Sequence, residues 1–112
     1  MKIVKDRINR AELAELAKEI FGDFVKAVVD IKREVMALGV ELHVDAEAAL
    51  LDDGSAQADL WGINIYPGQT IEDWIEFDSM INLRPAQGNR SRGVEDEGTR
   101  QKIKAVVKKL IL

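Results

Sequence analysis

The sequence predicts an α+β fold: a three-stranded or larger antiparallel sheet with helices packed on one face, in the order (β)ααβββα. Three observations carry that prediction. Apolar residues recur at helical spacing before Gly39 and after Gly93, a period of two governs much of the stretch from Val40 to Leu83, and turn-forming strings separate the segments. At 112 residues the chain has the common size of one domain.

Met1 to Val4 reads as a short edge strand. Asn9 stands three residues before Glu12, the spacing of a capping box, so a helix begins there, with Leu13, Leu16, Ala17 and Ile20 on its core stripe. Gly22 and Asp23 interrupt it. The spacing of Phe24, Val28, Ile31, Val35 and Leu38 predicts a second helix over Phe24 to Leu38, stopped by Gly39; the β-branched string Val28 to Ile31 keeps a strand open as the alternative. From Val40, Leu42 and Val44 alternate with Glu41, His43 and Asp45, and the stretch through Leu51 meets the turn string Asp52-Asp53-Gly54-Ser55. That predicts a hairpin returning along Leu60 to Tyr66, against a competing helical turn from Asp45 to Leu51. The longest alternation places Ile75, Phe77, Ser79, Ile81 and Leu83 on one face of a strand ended by Pro85. A polar loop, Ala86 to Gly93, leads to a closing amphipathic helix marked by Ile103, Val106, Val107 and Leu110, with Glu95, Asp96 and Glu97 at the favourable end of its dipole.

Composition narrows the functions. The chain is 46% hydrophobic and 32% charged, without an apolar run long enough to span a bilayer, so a soluble, cytoplasmic protein with no membrane association is expected. The segment Met1 to Arg10 lacks the pattern of a secretory signal. Zero cysteines exclude disulfides, thiolate metal sites and thiol nucleophiles. A formal charge of −4 argues against a general nucleic-acid partner, because phosphate contacts dominate that affinity.

If the apolar faces of the strands pack on helices, the opposite face gathers His43, Asp45, Asn64, Glu76, Asp78, Asn82 and Arg84. A solvated sheet face accounts for such residues without any ligand. The sharper expectation takes His43, Asp45, Glu76 and Asp78 as ligands for a divalent ion, an oxygen-rich set with one imidazole; no motif assigns a particular metal or cofactor. The loop residues Asn89, Arg90 and Arg92 precede a helix start, where free amides and two guanidinium groups suit an anion, although pairing of the arginines with Glu95 to Glu97 is the plainer account. Tyr66, Trp74 and Met80 suggest a contact patch that a homodimer would bury.

The strings Glu41-Leu42-His43-Val44-Asp45-Ala46-Glu47, Asp53-Gly54-Ser55, Leu60-Trp61-Gly62-Ile63-Asn64 and Phe77 to Pro85 with Asn89-Arg90-Ser91 together resemble a family of small prokaryotic proteins known as a domain of unknown function. That resemblance implies no activity. Three expectations of function follow from the residues: a binding or assembly module for an anionic ligand or partner, a metal-assisted phosphoester hydrolase, and a structural homo-oligomer.

Overall fold

Asn9 starts the first helix as its spacing predicts: its side-chain oxygen accepts the Glu12 N–H at 2.8 Å. The reciprocal half of the box is absent, because the Glu12 carboxylate pairs with Lys2 at 3.1 Å instead. In the computed structural model, which describes residues 1–111, this helix, α1, spans Arg10–Ile20 and buries Leu13 and Ala17. The edge strand before it, β1, spans Lys2–Val4.

The helix expected over Phe24 to Leu38 is a β-hairpin, the alternative that Val28 to Ile31 had kept open. Its strands are β2, Val25–Asp30, and β3, Val35–Val40, paired antiparallel with Asp30 opposite Val35. Asp30 makes the turn: its Oδ1 accepts the N–H groups of both Lys32 and Arg33 at 2.9 Å, and Glu34 takes the left-handed φ of 57° that closes it. β2 is buried on both faces, so its apolar run is nearly continuous and lacks the alternation that marks a half-exposed strand.

After Val40 the expected strand gives way to the competing helix, longer than the single turn foreseen. α2 spans His43–Asp52 and buries His43, Ala46, Glu47 and Leu50, two pairs at i and i+4 on one face. The alanines at 46, 48 and 49 favour helix, and outweigh the brief alternation around Leu42. The return strand lies where expected, as β4, Leu60–Ile65.

The long strand expected to end at Pro85 is only β5, Ile75–Glu76, beyond which the chain leaves the ladder. Gly62 explains how it continues: a Cβ there would lie 2.5 Å from Ser79 Oγ, so glycine alone admits the passing chain so close to β4. Asn82 then uses its side-chain amide as a strand would use its backbone, accepting from Gly62 N–H at 2.8 Å and donating to Gly62 C=O at 2.9 Å. Met80–Asn82 forms a 3-10 turn capped by Ser79. The closing helix, α3, spans Glu97–Leu110, capped by Asp96.

The five strands form one antiparallel sheet in the order β1-β3-β2-β4-β5, which bears out the α+β class. α1 and α3 pack on one face over Ala27, Val29, Met36, Leu38, Ile63 and Ile65. The opposite face, expected to be free of helices, is covered by α2 through Val28, Ala37, Ala46, Leu50 and Leu60, because the segment foreseen as a strand is helical. No helix among the described residues is long and apolar enough to cross a membrane.

Candidate functional site

Register builds the site. Lys26 on β2 faces Asn64 on β4, and Asn64 faces Glu76 on β5, so three polar residues form one row across the sheet on the α2 side. The first turn of α2 and the chain from Asp78 to Ile81 rise on either side of that row, with Arg92 beside them. They enclose a cleft of about 390 Å³ that Leu42, His43, Val44, Asn64, Glu76, Asp78 and Arg92 help to line. That volume is within the range of small-molecule sites.

Two buried groups at the floor present acceptors. Asn64 is 6% exposed; its Nδ2 donates to Glu76 Oε1 at 2.8 Å, which fixes the amide orientation, and its Oδ1 is buried without a partner among the described residues. His43, 8% exposed, has Nε2 2.8 Å from the Ile63 carbonyl. A carbonyl only accepts, so Nε2 carries the proton and Nδ1 the lone pair. Burial lowers the His43 pKa from its ordinary value; the nearby Lys26 and Arg92 charges add to that, while the Ile63 bond and Asp78 oppose it. The imidazole is therefore neutral near pH 7. Tyr66 also donates to Glu76, at 3.3 Å, and its own pKa is raised by desolvation and by the Glu76 charge.

The walls present donors. α2 begins after Leu42, which has no side chain able to accept a hydrogen bond, and no side chain among the described residues caps the first turn. The contrast with α3 is direct: there Asp96 accepts the Thr99 N–H at 2.8 Å. Arg92 joins Asp78 through Nε at 2.8 Å, which orients the guanidinium and leaves both terminal nitrogens outside that pair.

The expected sheet-face cluster is thus partly assembled. His43, Asn64, Glu76 and Asp78 meet in the cleft, but His43 arrives from the start of a helix rather than from a strand. Asp45 is exposed on α2, away from the cleft lining, since one helical position after Val44 turns it outward. Asn82 is fully buried in its bonds to Gly62 and to the Arg92 carbonyl. Arg84 lies over Trp61, 4.1 Å from the ring centroid, and donates to the Gln57 and Leu60 carbonyls; burial lowers its pKa. The four expected metal ligands do not converge, and no group of three or more His, Cys, Asp or Glu among the described residues is placed to hold an ion.

The expected anion loop is divided. Asn89 is 4% exposed and staples the loop, donating to the carbonyls of Asn82, Ser91 and Gly93 and accepting from Glu95 N–H. Arg90 is exposed, and its backbone N–H donates to the Glu95 carboxylate. Of these three only Arg92 reaches the cleft, where it lines the same space as the start of α2. Sequence reasoning missed Lys26, Phe24, Leu42 and Val44 as cleft residues. The helical reading of Phe24 to Leu38 concealed the pairing of Lys26 with Asn64; an apolar residue at the N-cap, Leu42, was the available signal for an open helix end.

The proposed aromatic patch does not form as one surface. Trp74 is buried, with Arg10 4.9 Å from its ring centroid, whereas Met80 is 62% exposed. Met80, Leu42 and Val44 instead give the cleft an apolar rim. A second groove of about 320 Å³ lies between Ile71, Trp74, Phe77 and the Lys104 and Lys108 side of α3.

No curated protein and no solved structure matches this chain. The profile of one family matches residues 2–110, nearly the whole length, in agreement with the resemblance carried by the strings around His43, Trp61 and Asp78. The chain belongs to that family, described as protein of unknown function (DUF5674).

Proposed function

We propose that this protein is a small cytoplasmic binding module that holds an anionic ligand at the N-terminus of α2. The observation that carries this reading is the helix start without a side-chain cap, opening into a cleft that also contains Arg92 and Lys26. Helix-terminal amides and the positive end of the dipole favour an anion, and the Arg92 terminal nitrogens add a planar pair of donors. Asp78 offsets one of the positive charges but holds that guanidinium in place.

Inorganic phosphate tests the reading in a thermal-shift titration. The melting temperature should rise with phosphate in the parent protein, respond equally in Arg90→Ala, and lose most of its response in the Lys26→Ala, Arg92→Ala double variant. Equal responses in the parent and the double variant would contradict it.

Assembly is the second reading, favoured by the exposed Leu42, Val44 and Met80 at the cleft rim. Light scattering that returns the mass of one chain at all accessible concentrations would remove it. The hydrolase reading has no converging ligand set to support an ion-dependent step.

A further inference from the structure

We infer that the ligand is a small zwitterion: an acidic group at the α2 N-terminus, an ammonium against the Asn64–Glu76 floor, and an apolar frame between them. This rests on the anion site proposed above and adds what a simple anion would leave unexplained. A plain carboxylate can satisfy the amides, Arg92 and Lys26. It offers nothing to the buried Asn64 Oδ1, which lacks a donor among the described residues. A desolvated acceptor without a partner is costly, by about 1–3 kcal/mol.

The polarity of the missing group follows from the amide orientation. Asn64 Nδ2 is held by the Glu76 carboxylate, so turning the amide over would set its oxygen against that anion and is disfavoured. Oδ1 therefore remains the acceptor, and a donor on the ligand would satisfy it. The same carboxylate favours a donor that is positively charged, and the neutral His43 imidazole does not repel one; Lys26 beside Asn64 opposes it, but its ammonium lies over the Phe21 ring, 5.2 Å from the centroid. An amide or hydroxyl would meet the hydrogen-bonding demand but not the Glu76 charge. Leu42, Val44 and Met80 at the rim provide apolar surface for the frame. A cleft of about 390 Å³ accommodates a free apolar amino acid or a dipeptide.

Calorimetry with matched probes separates the parts. Leucine is compared with 4-methylpentanoate, which lacks only the amino group, and with 3-methylbutylamine, which lacks only the carboxylate; leucyl-leucine distinguishes a peptide from a free amino acid. The expected result is that leucine or leucyl-leucine binds at least about tenfold tighter than 4-methylpentanoate, a charged hydrogen bond's worth. In Asn64→Leu that advantage should fall by at least about fivefold while 4-methylpentanoate binding is kept. Glu76→Gln, at an exposed position that carries little folding risk, should reduce the advantage even if Asn64→Leu does not fold. Equal affinity of the parent protein for leucine, leucyl-leucine and 4-methylpentanoate would overturn the zwitterion and leave the anion site standing. Binding of 3-methylbutylamine alone, or of no probe and no phosphate, would overturn both.

Discussion

Asn82 and Gly62 work as one unit. The amide side chain replaces the backbone pairing that ends at Glu76, and the missing Cβ provides the space for it. Removing the amide in Asn82→Ala leaves a buried N–H and C=O of Gly62 unpaired and should cost about 2–4 kcal/mol, read as a lower midpoint in urea. Gly62→Ala pushes Ser79 off β4 and should cost about 1–3 kcal/mol. A midpoint unchanged by either substitution would mean that the chain after Asp78 is not anchored in this way. Neither role was visible in the sequence. Asn82 looked like one more polar position of a strand, because a side chain that imitates backbone leaves no periodic trace.

At the scale of elements, local rules succeeded where one face of the element meets water. α1 and α3 declare themselves by their stripes and caps, and β4 by its position after a turn string. β4 is buried along its whole length, so the turn string alone marked it, and the rules failed at β2, where both faces are covered too. The β2 apolar run, broken only by Lys26, lacks the alternation that would separate it from a helix. α2 was misread for the opposite reason: the short alternation through Val44 spoke for a strand, and the alanine-rich stretch behind it spoke for helix. Parity in the segment before Pro85 holds from Ile75 to Asp78, with Phe77 packed toward α1 and α3 and Asp78 in the cleft. It fails from Ser79 onward, since Ile81 packs on the α2 side. The open start of α2 yields a prediction of its own. Leu42→Ser supplies the missing cap, and should stabilise the protein by about 1 kcal/mol while weakening phosphate binding, because the hydroxyl takes amide capacity the anion would use. A gain in stability with undiminished phosphate affinity would place the anion elsewhere.

For the whole molecule, pH connects the site to stability. The folded His43 pKa lies below its ordinary 6.5, so the unfolded chain binds the proton more readily. The contribution of the neutral imidazole is complete above about pH 6.5 and is lost as pH falls through the folded value. The lowered carboxylates of Asp53, Asp96 and Glu97 titrate below their ordinary 3.8, 3.8 and 4.5, which keeps them out of this window. Unfolding free energy from urea curves should therefore decline between about pH 7.5 and 5.5, and His43→Gln should flatten the decline. A parent protein equally stable at both values would contradict a neutral, buried histidine. The fold places the start of α2 beside the Lys26–Asn64–Glu76 row, and the proposed ligand site is that juxtaposition. Backbone amide NMR during a titration with inorganic phosphate tests it most directly. The N–H signals of His43 and Val44 should shift progressively and saturate together with those around Arg92. Shifts confined to the start of α3, near Glu97, with His43 and Val44 unmoved, would contradict the assignment.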